Sequence, residues 1–147
     1  MHIAYYKGKG GMFNKWIRLW LRSERTHEEL IIDGVWYTAS HLDGGVCKRK
    51  IEHNPNNWDV YKLDAIFDEE YAKKYFADRM RCKYDWVGIG LTQVVPLGIH
   101  LFNRYFCTEI VQGALQIEDS HRLNPKTSFK QLEPFLTKVD NYDGHKV

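Results

Sequence analysis

The spacing of apolar residues divides the chain into an early half of strands and a later half of helices. Ile3 to Tyr6 form a short strand-like run that Gly8, Gly10 and Gly11 interrupt. Beyond it, Phe13, Trp16, Ile17 and Trp20 fall at i, i+3, i+4 and i+7, the stripe of an amphipathic helix. The segment THEELIIDGVWYTASHLDGGV then sets Asp33-Gly34 between two runs rich in β-formers, the strongest short-range hairpin signature. Strands are expected near 27–32 and 35–41, then at Gly45 to Ile51 and Trp58 to Asp64, with the turn-like HNPNN between the last two.

After Asp64 the period changes. IFDEEYAKKYFADRMRCK carries Phe67, Tyr71, Tyr75 and Phe76 at helical spacing, with acidic residues in its first turn, where the helix dipole favours them. A second helical piece is expected from about Asp85 to just before Pro96. A third, CTEIVQGALQI, places Ile110, Ala114 and Ile117 on one side, and a last one, SFKQLEPFL, is made irregular by Pro134. Strands followed by helices predict an α+β fold, a mostly antiparallel sheet packed against helices. No repeat, low-complexity segment or linker divides the 147 residues, so a single domain over 1–147 is expected.

Composition narrows the class. With 44% hydrophobic, 14% aromatic and 27% charged residues the chain has the makings of a substantial core and is not disordered. Twenty-one Lys and Arg against 19 Asp and Glu leave a net charge of +2, too little for a nucleic-acid footprint, so no nucleic-acid partner is expected. The runs YKGKGG and CKRK read as solvated surface; nucleic-acid binding through Lys7, Lys9, Lys15, Arg18 and Arg22 would show as strongly salt-dependent association. The three cysteines, 47, 82 and 107, fit neither a disulfide framework nor a CxxC metal site, and no metal or cofactor is expected. An apolar h-region and a membrane-length apolar run are both missing from the sequence, so neither signal peptide nor anchor is expected and cytoplasmic synthesis is the plain reading.

The candidate chemistry centres on RYFCTEIVQGAL. Cys107 falls where a helix is expected to begin, and the dipole and free N–H groups there favour a thiolate. A thiol of ordinary pKa also needs a histidine partner to act as nucleophile. Of the seven histidines, His27 opens a predicted core strand, where a rigid scaffold can aim its ring, and His41 on the paired strand is second choice. A two-residue Asp33-Gly34 loop sets Ile32 against Val35; continuing that register brings Ser40 opposite His27 and Thr38 opposite Glu29. His27 and Glu29 then share a face, and Glu29, Thr38 and Ser40 all lie near enough to orient the imidazole, a carboxylate most effectively. The competing reading keeps Cys107 as a buried small residue, His27 as a strand-end histidine and Glu28-Glu29 as a solvated acidic face. Cys47 and Cys82 carry no motif that marks them as nucleophiles.

The order of these elements, histidine on an early hairpin and cysteine opening a late helix, resembles the circularly permuted branch of the NlpC-type papain-like superfamily. That branch holds YiiX- and YebB-like cysteine peptidases and amidases, with the lecithin:retinol acyltransferase group as a relative. The similar stretches are the histidine hairpin, KYDW at Lys83 to Trp86, and FCTEIV, which together extend from about residue 3 to residue 117. The resemblance implies a permuted papain-like fold with Cys107 as nucleophile and His27 as base. It also implies that Tyr84 and Glu109 help shape the pocket wall and that the Cys107 N–H contributes to an oxyanion hole. Relatives often carry an acidic residue before alanine on the second hairpin strand, where this chain has Thr38 before Ala39, which leaves Glu29 as the substitute third residue. The implied activity is cleavage of an amide, peptide or isopeptide, through an acyl-enzyme. Acyl transfer or thioester cleavage on lipid or acylated substrates begins with the same step, and a non-catalytic binding protein on the same fold is the reading from a different class.

Overall fold

The computed structural model describes residues 1–8, 19, 23–84, 104–140, 142 and 143. The helix expected on Phe13 to Trp20 and the helical piece expected from Asp85 lie outside the described residues. What is described is an α+β fold built on one eight-stranded sheet and three α-helices. The strands are β1 (His2–Tyr6), β2 (His27–Ile32), β3 (Val35–Ser40), β4 (Gly45–Arg49), β5 (Trp58–Leu63), β6 (Lys83–Tyr84), β7 (Arg104–Tyr105) and β8 (Leu136–Val139). Their order is β7-β6-β4-β3-β2-β1-β5-β8; seven run antiparallel to their neighbours, and β7 joins β6 in parallel.

The hairpin forms as its sequence dictates. Asp33 and Gly34 have φ of 50° and 71°, both left-handed, as a two-residue turn that follows the right-handed twist of its strands requires. Ile32 pairs with Val35, Ile31 with Trp36 and Leu30 with Tyr37, the expected register. Its first strand lies between β1 and β3, in the middle of the sheet, so both of its faces are covered. One face, with Ile3, Tyr5, Leu30, Ile32 and Ala39, meets the helices. The other, with Ala4, Ile31, Trp36, Trp58 and Val60, forms a second apolar cluster.

The helices are α1 (Glu69–Arg79), α2 (Cys107–Ala114) and α3 (Pro125–Leu132). Asp68 caps α1, its carboxylate accepting the Tyr71 N–H at 2.9 Å, so the helix starts three residues later than the apolar pattern suggests. Only Ala72 and Phe76 of α1 are buried, and Tyr71 is exposed. α2 is buried almost all round, packs on β2 and β3, and is flanked by α1.

Two expectations need correcting at the C-terminal end. The last helix starts at Pro125, where Asn124 and Thr127 form a reciprocal capping box, and not at Ser128. It ends at Leu132, a 3-10 turn covers Glu133–Phe135, and Leu136, expected in the helix, opens β8, which pairs with β5. Pro134 has no N–H to give to a continuing helix, and the chain turns outward into an edge strand instead. Lys83, likewise expected at a helix end, lies in β6.

Gly45 opens β4 with φ of 157°, and a Cβ there would drive into the backbone carbonyl of Cys82 at the β4–β6 crossing. Gly45→Ala is expected to destabilise the fold by about 3 kcal/mol, read as a shift of the denaturant midpoint, because backbone and not a flexible side chain must move. A change within about 0.5 kcal/mol would show that this crossing is not rigid.

Candidate active site

Cys107 is the first residue of α2, and Phe106 before it is extended, with φ −107° and ψ 170°. No side chain caps this helix end among the described residues. The first-turn N–H groups therefore project toward the sulfur side of the helix. The thiol itself is buried, 6% exposed, beside the imidazole of His27 at the start of β2. Sheet and helix meet there because β2 begins at the edge where α2 starts.

Burial alone would hold the Cys107 thiol neutral. The charge of His27, the largest opposing influence, and hydrogen bonding from His27, the backbone N–H of Glu28 and the Thr108 hydroxyl at 3.9 Å outweigh it, and the thiol pKa is lowered. For His27 burial works against the imidazolium, yet the charge and hydrogen bond of Cys107, followed by those of Glu29, raise its pKa. Each group thus favours the charged form of the other. Both shifts run toward the thiolate–imidazolium form of the pair.

Behind the imidazole, Glu29 Oε1 lies 3.3 Å from His27 Nε2, and Thr38 Oγ1 lies 3.4 Å from the same nitrogen. The Thr38 hydroxyl donates to the Glu28 carbonyl at 2.9 Å, so its oxygen is left to accept. Two acceptors on Nε2 assign it the proton and leave Nδ1 for the sulfur. Glu29 has no exposed surface, and Arg49 from β4 donates to its Oε1 while holding Asp43 through the other guanidinium nitrogen at 2.9 Å. In the charged form of the pair, charges alternate along the line: thiolate, imidazolium, Glu29 carboxylate, Arg49 guanidinium, Asp43 carboxylate.

The structure thus brings together Cys107, His27, Glu29 and Thr38. Ser40 is buried in β3, but its hydroxyl accepts the Leu42 N–H at 3.2 Å and shapes the following turn. Tyr84 is buried with its ring 5.9 Å from that of His41, and Glu109 is buried in the first turn of α2. His41 is close enough to His27 to feel its charge: burial first, then His27, lowers its pKa. Asp85 and Trp86 lie outside the described residues. Cys47 pairs with Thr38 across β3 and β4, near Asp43 and Arg49, and its thiol is pushed up to about 12 by burial and then by Asp43.

Arg49 is the residue that reading the sequence missed, taken there for part of a solvated basic run. Trp36 pairs with Arg49 across β3 and β4, which puts the guanidinium on the face of Trp36, Thr38 and Glu29. A pocket of about 350 Å³ lies beside Asp43, Cys47, Lys48 and Arg81, and none of Cys107, His27 or Glu29 lines it. Among the described residues no group of three or more His, Cys, Asp or Glu is arranged to hold a metal ion, and no helix is long and apolar enough to cross a membrane. Comparison with protein-family models, curated proteins and solved structures found no match for the chain.

Glu29→Gln is expected to lower the His27 pKa and hence raise that of Cys107, since the carboxylate supports the imidazolium. The alkylation rate of Cys107 at pH 6 should fall about tenfold, as the loss of one charge-assisted hydrogen bond implies. Thr38→Val should change it by less than about threefold, since the hydroxyl is only a second, neutral acceptor. Equal effects of the two substitutions would contradict the assignment of Glu29 as the main orienting group.

Proposed function

We propose that the protein is a thiol hydrolase that cleaves an amide bond, peptide or isopeptide, on a permuted papain-like fold. The observation that carries the reading is the buried Cys107 thiol at a helix start against a His27 imidazole whose far nitrogen is held by Glu29. The motif resemblance of the histidine hairpin and FCTEIV supports the same assignment. The third catalytic position is then occupied by Glu29, from the histidine's own strand, in place of an acidic residue on the neighbouring one.

In this mechanism the Cys107 thiolate attacks the carbonyl carbon, and the oxygen becomes an oxyanion that the first-turn N–H groups of α2, that of Cys107 included, stabilise. The imidazolium of His27 gives its proton to the leaving nitrogen as the C–N bond breaks, leaving a thioester on Cys107 and a neutral imidazole. A water molecule, deprotonated by His27, then attacks the thioester and returns the thiolate. Glu29, fixed by Arg49, keeps the imidazole oriented and stabilises it whenever it is charged. With an alcohol or amine in place of water the same acyl-enzyme completes an acyl transfer, the nearest alternative. The partner is thus a peptide, amide or acyl substrate, and a reducing compartment such as the cytoplasm suits a free thiol nucleophile.

Iodoacetamide at pH 6 to 7 should alkylate Cys107 well ahead of Cys47, and His27→Ala should slow that reaction about a hundredfold, as mass spectrometry of the labelled peptides would measure. Labelling of Cys107 no faster than that of an unstructured cysteine, or unaffected by His27→Ala, would favour the non-catalytic binding protein.

A further inference from the structure

The side chain of Glu28 points to the opposite side of β2 from Glu29 and has no exposed surface. Its Oε1 accepts from Gln112 Nε2 on α2 at 3.1 Å, and the same nitrogen donates to Ser128 Oγ on α3 at 2.8 Å. Ser128 Oγ lies beside the Glu28 carboxyl and 3.3 Å from the Tyr5 hydroxyl on β1. Four elements therefore meet at one buried polar cluster within an otherwise apolar layer.

The charge balance at this cluster is unusual. The titratable groups that face Glu28 are Cys107, His27 and Tyr5, while Arg25 lies over the rings of Tyr5 and Phe129. Among the described residues no lysine or arginine forms an ion pair with Glu28. The hydrogen bonds of Ser128 and Gln112 and the charge of His27 favour a carboxylate here, but burial followed by the Cys107 charge outweighs them and raises the Glu28 pKa well above the carboxylate range. The backbone of the same residue serves the site directly, its N–H bonding the Cys107 sulfur and its C=O accepting from Thr38 at 2.9 Å.

We propose that Glu28 is a positioning residue that, as an uncharged acid bonded to Gln112, latches the helix bearing Cys107 to the strand bearing His27. The proposal rests on reading Cys107 and His27 as the reactive pair. Through the side chain, Glu28 fixes where α2 lies on the sheet; through its backbone, it fixes where sulfur and imidazole meet. Glutamine reproduces the neutral acid in shape and hydrogen bonding, whereas alanine removes the latch.

Two measurements on the full chain test this. The first is chemical denaturation of wild type and Glu28→Gln from pH 5 to 8. In the unfolded chain Glu28 ionises near its ordinary pKa, while the folded chain retains the proton, so the unfolded state binds fewer protons and wild-type stability falls as pH rises. Relative to Glu28→Gln, the wild-type folding constant should drop as pH rises from 5, by up to about tenfold per pH unit as long as the folded carboxyl keeps its proton. A difference that is flat, or that grows in favour of wild type, would show an ionised, compensated carboxylate and overturn the proposal.

The second measurement is the rate of Cys107 alkylation at neutral pH. Glu28→Gln should match wild type, while Glu28→Ala and Gln112→Met should each slow it about tenfold, the worth of one or two buried hydrogen bonds. Gln112→Met keeps the side-chain bulk and decides the matter if Glu28→Ala fails to fold. Equal rates in all variants would overturn the latch and leave the Cys107–His27 pair standing. Slow labelling of wild type would instead remove the reactive pair and the positioning role with it, while the denaturation series still fixes the charge of Glu28.

Discussion

The site depends on one electrostatic trade: two groups that burial would neutralise, Cys107 and His27, each shift the other toward its charged form. A thiolate in the core without a cation reverts to thiol, and an imidazolium without an anion gives up its proton. Side by side they reverse both tendencies, and the Glu28 N–H, the Thr108 hydroxyl and the Glu29 carboxylate add to the same balance. The line continues outward through Arg49 to Asp43, so that each buried charge meets one of opposite sign until the surface is reached. His27 is 21% exposed at its side chain, which makes the imidazole the more open member of the pair.

The fold supplies this contact by a simple juxtaposition. β2 is a central strand whose two faces serve different layers: His27, Glu29 and Ile31 face the layer of Trp36 and Trp58, while Glu28, Leu30 and Ile32 face the helices. α2 lies on the helix side, and its first residue reaches the end of the strand, where the two layers meet. Alternation in the strand thus sends two adjacent acidic residues to opposite duties. Glu29 is ion-paired beside the imidazole; Glu28 is buried against an amide.

The hairpin and the start of α2 were legible from the chain because local rules govern both. Asp33-Gly34 sets the two-residue turn, the turn sets the register, and the register sets Thr38 beside Glu29; a helical apolar pattern beginning after Phe106 puts Cys107 at its start. Arg49 was not legible, because the bend at His41 to Gly44 between β3 and β4 fixes its face and no turn rule specifies that bend. Glu28 read as a solvated acid, since adjacent glutamates ordinarily are, and only the central place of β2 in the sheet buries it. β8 was missed because Leu136–Val139 is a short edge strand with exposed residues that owes its existence to pairing with β5. Asn124-Pro125 with Thr127 was a readable helix start that the apolar run after Ser128 obscured.

Direct titration of the Cys107 sulfur tests the central claim most directly, through the ultraviolet absorbance of the thiolate in the native protein with Cys107→Ser as the blank. The account predicts that the thiolate is already present below pH 7, appears with the lowered pKa of a histidine-paired thiol, and vanishes from that range in His27→Ala. Thiolate absorbance arising only above about pH 9, the behaviour of a buried thiol without a cation, would contradict it.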